Sequence, residues 1–335
     1  MQGVVAYHIF YTPTVRIQIQ SLDQKAMRML LRHKTAPRLA EKSTDVGCFT
    51  SLRIGDSLIS MVTAENLRRS GRSVTIYSNP LHALKRWFPH AQIETIPPPQ
   101  KRSDILQRHD LLLHAFDSDV LPEAVGMPKT LVYDHLREYR DPLESQVDIN
   151  RDLCRSIFGI ADASTDNGMR HLPEIAARDP LRVVIHPTAS DPTRRWSPAS
   201  FIKVAQGISE RGLTPEFITQ PSEAEQTAWI EEAGFSRFAE GGLDQVAERL
   251  AGSRAFIGND SGIAHLASSL GLPFVTVNLR RKLAIRWRPG WSDGETLIPS
   301  IPLLFNPIKV RYWRKFITPA KVLDAFDRVT SPAIS

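Results

Sequence analysis

Gly258-Asn259-Asp260-Ser261-Gly262-Ile263-Ala264-His265 gathers an acid, a hydroxyl, an imidazole and two glycines into one short stretch. It follows an apolar run, Ala255-Phe256-Ile257. It opens a segment in which Ile263, Leu266, Ala267 and Leu270 recur at helical spacing. A strand that turns into a helix through Asp-Ser-Gly leaves unpaired N–H groups and a positive dipole end at the turn. Such a turn suits a phosphate or diphosphate. His265, one turn into the helix, is expected at the mouth, able to donate to the same anion. The bland alternative is an ordinary N-cap at Ser261 and an ordinary surface histidine.

Three other stretches carry complementary chemistry. In Arg53-Ile54-Gly55-Asp56, Gly55 allows a tight turn and Asp56 faces a cleft at a helix start. Asp56 there is either an N-cap or a general base that takes a proton from an acceptor hydroxyl. His186-Pro187-Thr188-Ala189-Ser190, followed by Arg194-Arg195-Trp196, sets hydroxyls in a turn with cations just beyond. That is a diphosphate clamp, because the arginine fork binds oxyanions through two hydrogen bonds, or else a solvated basic loop. Gln220-Pro221-Ser222-Glu223 ends in a carboxylate suited to sugar or ribose hydroxyls, or to capping a helix. No DxD-type or His/carboxylate cluster stands at these positions, so neither a metal nor a cofactor is expected.

The elements that position these residues alternate between strand and helix. Strands are predicted at 46–50, 74–77, 92–96, 111–114 and 130–133, with helices over 57–70 and 144–158. Residues 160–180 are polar and poorly periodic. The pattern then repeats. A strand at 182–186 leads to a helix capped by Ser197 with Pro198 in its first turn and a stripe of Phe201, Val204, Ala205 and Ile208. A strand at 215–219 precedes a capping box in Ser222-Glu223-Ala224-Glu225, and Gly234 closes that helix. Leu243, Val246, Ala247 and Leu250 mark another helix. The strand at 255, the helix at 261, a strand at 273–277 and a helix at 319–328 complete it. Upstream, residues 4–10 and 15–19 read as a hairpin and 22–36 as a basic amphipathic helix, packed on its domain or lying on an anionic membrane. Alternation in both halves implies two parallel-sheet domains, with ligands beyond the carboxyl ends of the strands, in the cleft between them.

Composition agrees. At 335 residues the chain is long enough for two domains. With 42% hydrophobic and 23% charged residues it reads as globular, and no apolar run approaches the roughly 20 residues of a membrane span. No secretion signal is read at the N-terminus. Cys48 and Cys154 lie far apart without a CxxC pattern, which disfavours zinc or a disulfide framework and fits a reducing compartment. The net charge of +6 favours an anionic partner. A nucleic-acid role lacks support, since there is no zinc pattern, helix-turn-helix spacing or aromatic-interleaved basic stripe.

Taken together, Arg53-Ile54-Gly55-Asp56-Ser57-Leu58, Ile185-His186-Pro187-Thr188 with Arg194-Arg195-Trp196, Pro221-Ser222-Glu223-Ala224-Glu225 and Asn259-Asp260-Ser261-Gly262-Ile263-Ala264-His265-Leu266-Ala267 resemble glycosyltransferase family 9, the heptosyltransferase-like enzymes of bacterial lipopolysaccharide assembly. The segments come in the family's order over about residues 46–330. The resemblance implies an α/β, GT-B fold, two Rossmann-like domains facing across a cleft. It implies an N-terminal extension at 1–45, an acceptor-side domain at 46–165, a linker at 166–180, a nucleotide-sugar domain at 181–318, and a C-terminal helix at 319–335 that crosses back to the first domain. It further implies inverting, metal-independent transfer of a heptose from ADP-heptose to an anionic saccharide or glycolipid acceptor. The enzyme would be cytoplasmic, with peripheral contact at the inner membrane. Asp56 is then the base. Thr188, Arg194, Glu223, Asp260, Ser261, Gly262 and His265 hold the donor, with Thr188, Ser261, Gly262 and His265 on the diphosphate and Asp260 or Glu223 on the hydroxyls. Three places depart from the pattern: residues 1–45, Asn278-Leu279-Arg280-Arg281-Lys282 where the family often has Gly-Pro-Thr, and His114-Ala115-Phe116-Asp117. The alternatives are another GT-B enzyme, such as a nucleotide-sugar epimerase, or a transferase of a different sugar onto a different acceptor.

Overall fold

The computed structural model describes residues 40–114, 121–124, 127–133, 136, 139, 143–172, 178–300 and 312–331. The hairpin and helix expected before residue 37, and the strand-end residues Ala115 to Asp117, lie outside them.

Two all-parallel sheets organise the chain. The first contains β1 (Asp45–Phe49), β2 (Ser73–Tyr77), β3 (Gln92–Glu94), β4 (Leu111–His114) and β5 (Thr130–Val132) in the order β3-β2-β1-β4-β5. The second contains β6 (Arg182–His186), β7 (Thr214–Ile218), β8 (Ser236–Phe238), β9 (Ala255–Asn259), β10 (Phe274–Val277) and β11 (Gly294–Leu297) in the order β11-β10-β9-β6-β7-β8. Each sheet starts at an inner strand, runs to one edge, and then crosses to the other side. The order therefore reverses between β1 and β4 and between β6 and β9. A crevice opens at such a switch point beyond the carboxyl ends of the strands. The inner strands are buried on both faces, as parallel sheets covered by helices must be, and so Val183-Val184-Ile185 and Ala255-Phe256-Ile257 are unbroken apolar runs.

The helices are α1 (Ile54–Arg69), α2 (Asn79–Ala83), α3 (Arg102–Arg108), α4 (Gln146–Phe158), α5 (Pro198–Glu210), α6 (Trp229–Glu232), α7 (Leu243–Gly252), α8 (Gly262–Ser269), α9 (Arg281–Arg286) and α10 (Pro319–Thr330). α5 follows its sequence signals closely: Ser197 accepts from the Ser200 N–H, Pro198 opens the helix, and Phe201, Val204, Ala205 and Ile208 are buried.

Three expectations are corrected. α1 begins at Ile54 rather than 57, so Arg53 is its N-cap and Asp56 lies inside the first turn. Gly55 is thus a helical residue and not a turn glycine. The capping box is not in Ser222-Glu223-Ala224-Glu225. Glu223 instead pairs with Gln220 around a short 3-10 turn, because Pro221 ends β7's approach and starts that turn. Finally, α10 does not cross back to the first domain. Its apolar stripe, Val322, Ala325 and Phe326, joins the core of the second sheet. Gly207 of α5 makes room for it, since a Cβ there would lie 2.4 Å from Leu323 Cδ1. Arg211–Asp327 and Arg328–Glu295 ion pairs hold it in place.

One hydrophobic cluster runs through both domains, joining Val46, Leu58 and Met61 to Phe256, Ala264 and Leu266. At its centre the N-terminal turns of α1 and α8 meet. A Cβ on Gly262 would lie 2.3 Å from Ile54 Cγ2 and 3.2 Å from the Gly55 nitrogen, and one on Gly55 would lie 3.4 Å from Gly262 Cα. Backbone meets backbone here only because both residues lack a side chain. At one side of this contact Arg86 pairs with Asp244 and Glu248, and Trp87 Nε1 donates to Asp244 at 2.9 Å. At the other, Trp291 Nε1 donates to the Thr165 carbonyl at 2.8 Å. Gly262→Ala should therefore push α1 and α8 apart and destabilise the protein by about 1–3 kcal/mol, the usual cost of overpacking. Urea unfolding measures it, and a midpoint equal to wild type would show that the two helices are free to separate.

Candidate active site

Both switch points open onto the α1–α8 junction. On the second-domain side, β6 ends at His186 and β9 at Asn259. Asn259 is fully buried and ties the two strand ends together. Its Oδ1 accepts from the Trp196 N–H at 2.9 Å and its Nδ2 donates to the Pro187 carbonyl at 2.7 Å. Ser261 is the N-cap residue of α8, yet its hydroxyl makes no cap. It turns to His186 Nδ1 at 3.2 Å instead. The first-turn N–H groups of α8 keep no side-chain cap and leave a positive helix end facing the cleft. From His186 the chain of contacts continues. Nε2 lies 3.2 Å from Thr188 Oγ1, and Thr188 donates to Glu223 Oε2 at 3.0 Å. That oxygen also accepts from the Gln220 N–H at 2.9 Å, which fixes the carboxylate. Burial pushes the His186 pKa down to about 4, so the ring is neutral at pH 7.

Charge gathers across the domain boundary. Arg194 closes a 3-10 turn whose N-cap, Asp191, accepts from the Thr193 N–H at 2.9 Å. Its guanidinium stands 3.9 Å from Asp260 Oδ2 and 3.8 Å from Asp191 Oδ2. The neighbouring Arg195 is directed away, to the Ala189 carbonyl and Gln226. Burial raises the Asp260 pKa to about 6, opposed by Arg194 and by a hydrogen bond with Asn278, and reinforced by the negative charge of Asp56. Asp56 itself is pushed above the usual carboxylate range by burial, against the pull of Arg53, the Ser51 hydroxyl and Arg194. The Ser51 hydroxyl donates to Asp56 Oδ2 at 3.3 Å. Asp56 from the first domain and Asp260 from the second thus feel one another, with Arg194 acting on both.

Thr188, Glu223 and Ser261 are joined through His186, Arg194 stands beside Asp260, and Asp56 follows Gly55 at the contact with Gly262, but His265 differs in setting. It is 5% exposed rather than at the mouth. Its Cδ2 lies 3.0 Å from the position a Gly55 Cβ would take, its ring meets Trp291 edge-on, and burial lowers its pKa to about 4. As the fourth residue of α8 it falls on the face that packs against α1, which helix periodicity alone did not reveal. Gly262 likewise stands out as the contact point of two helices. Three participants stood in the segments read from the sequence without a role of their own: His186, Asn259 and Asn278. The signal for each was its place at the carboxyl end of β6, β9 or β10. Among the described residues no group of three or more His, Cys, Asp or Glu is arranged to hold a metal ion.

With this geometry in view, residues 126–290 match the family model of glycosyltransferase family 9 (heptosyltransferase). The match spans Thr188 to His265 and stops short of Asp56. Similar solved structures include ADP-heptose lps heptosyltransferase II of E. coli, at 15% identity and TM-score 0.66, covering 85% of this chain and 98% of that one. A family 9 glycosyl transferase from Veillonella parvula matches at 15% identity and TM-score 0.68, covering 86% and 97%. E. coli heptosyltransferase WaaC with ADP matches at 13% identity and TM-score 0.61, covering 85% and 99%. At these identities the structural likeness establishes the fold, and the family match is confined to residues 126–290. No curated protein matches the chain. Over residues 126–290 the protein is thus similar to the heptosyltransferase-like glycosyltransferases of family 9, and its fold is GT-B.

The Asp260 shift has a consequence for stability. Its pKa is higher in the folded state than in the unfolded chain, so the native protein holds the extra proton between the two values. Stability should fall as pH rises from about 4 to about 6. Asp260→Asn should lack that decline, and the gap between the two stability curves should change by ~2–3 kcal/mol across the window. Parallel curves from denaturant unfolding at several pH values would show that Asp260 titrates normally.

Proposed function

We propose that the protein transfers a heptose from ADP-heptose to a lipopolysaccharide or related saccharide acceptor by a single inverting displacement, without a metal. The observation that carries this reading is that Asp56 of the first domain and Asp260 of the second share the field of Arg194, whose guanidinium stands 3.9 Å from Asp260 Oδ2. That arrangement sets a basic carboxylate on one domain against an anion-binding end on the other. The acceptor hydroxyl gives its proton to Asp56 as its oxygen attacks the anomeric carbon, and the bond to the diphosphate breaks on the opposite face. Burial makes Asp56 a stronger base than an exposed aspartate. The charge that grows on the departing diphosphate falls to Arg194 and to the uncapped N–H groups of α8 at Gly262, with the Ser261 hydroxyl beside them and Thr188 behind it, joined through His186. Asp260, which lies near Asp56, holds hydroxyls of the transferred sugar. Glu223, which lies beyond Thr188, holds those of the ribose. His265 serves by filling the space over Gly55.

ADP as the nucleotide is supported by the ligand named for WaaC, and heptose by the names of both E. coli structures. The basic balance of the chain fits an anionic acceptor presented at the inner face of the cytoplasmic membrane. Among the described residues no helix is long and apolar enough to cross a membrane.

Asp56→Asn keeps the shape and removes the base. It should lower kcat by ~10²–10⁴-fold while ADP binding by calorimetry stays at the wild-type value. Retained turnover would remove Asp56 as the base, and lost ADP binding would move it to the donor side. In a thermal-shift panel of nucleoside diphosphates, ADP at about 100 times its Kd should stabilise the fold by ~2.7 kcal/mol. A stronger response to another base at equal concentration would reassign the donor.

A further inference from the structure

The hydroxyl chain from Ser261 to Glu223 has a direction set by the donors and acceptors along it. A carboxylate only accepts, so the single proton of Thr188 is committed to Glu223 Oε2. Thr188 Oγ1 must then accept from His186, which places the ring proton on Nε2. His186 Nδ1 is left as an acceptor, and the single proton of Ser261 is committed to it. Both hydroxyls that border the anion-binding turn therefore present lone pairs, the wrong polarity for a phosphate oxygen.

We propose that His186 is a positioning residue that couples the two ends of the donor site through a change of tautomer. The inference rests on the donor-site reading given above. When a diphosphate oxygen accepts the hydrogen bond of the Ser261 hydroxyl in place of His186, Ser261 Oγ becomes free to accept. The ring then carries its proton on Nδ1 and donates to Ser261, and Nε2 accepts from Thr188. Thr188 thereby releases Glu223 Oε2, which becomes free to accept from a ribose hydroxyl. The three sites carry three protons before and three after. The ring proton moves from Nε2 to Nδ1 by exchange with water, and the two hydroxyls turn about their C–O bonds. Buried and neutral, His186 has no alternative to being one tautomer or the other. Diphosphate at Ser261 and hydroxyl at Glu223 then favour one another, so a ligand offering both is selected over one offering either.

The test is the ring nitrogen spectrum of His186 in the full-length protein at pH 7, labelled at histidine and assigned by the peaks missing in His186→Phe. The free protein should show the Nε2–H tautomer, and saturating ADP should convert it to Nδ1–H. Binding of ADP to Ser261→Ala, Glu223→Gln and the double variant gives a second measurement. The single losses should fail to multiply by ~5-fold or more, because the two positions act as one unit. ADP that binds while the ring stays Nε2–H, or losses that multiply, would overturn the coupling and leave the donor site standing. No binding of ADP at all would overturn the donor-site reading, and the coupling with it.

Discussion

The site depends on one close approach, the contact of Gly55 with Gly262 at the crossing of α1 and α8. Two helices from different domains present their N-terminal ends to each other, meeting at two residues that lack side chains. That approach carries an electrostatic cost, because both ends bear the positive pole of a helix dipole. Two acids sit where they offset it: Asp56 in the first turn of α1, and Asp260 just before α8. The apolar cluster around Leu58, Ala264 and Leu266 supplies the attraction that holds the helices together. A larger residue at either glycine would widen the junction and move Asp56 away from Arg194 and Asp260.

The same closeness explains why the titratable groups depart from their ordinary behaviour. Asp56 and Asp260 are lifted by burial, and the charge of Asp56 raises Asp260 further, while Arg194 opposes the rise at both. Burial holds His186 neutral, and holds His265 neutral against the opposing pull of a backbone hydrogen bond at Trp287. Such a cluster is poor material for stability. It is well suited to chemistry that needs a base, a cation and fixed hydroxyls within reach of one another. The supports behind it are rigid. Asn259 bridges the two strand ends, and the Gln220–Glu223 turn clamps the carboxylate that ends the hydroxyl chain.

Much of this was legible in the chain because it rests on local physics. Unbroken apolar runs such as Val183-Val184-Ile185 mark buried parallel strands, and Ser197-Pro198 starts a helix by capping. In such folds ligands gather at strand ends, so Asp56, Thr188, Glu223 and Asp260 could be picked out from position and residue type. The short edge strands β8 and β11 escaped notice because most of their residues are only partly buried and carry little apolar pattern. The helix α9, six residues rich in cations, gave no buried stripe to read.

What the sequence determined alone was the alternation of strands and helices, the two-domain α/β class and the set of reactive residues at strand ends. Each follows from periodicity, capping and residue chemistry within a few positions. The tertiary structure decided everything that depends on two distant segments touching. It made Gly55 and Gly262 a helix contact, sent His265 inward, docked α10 on the second sheet against Gly207, and linked Ser261 to Glu223 through His186. Close packing is the reason: a missing Cβ or a ring nitrogen acquires its meaning only from the atom opposite, and that atom lies far away along the chain.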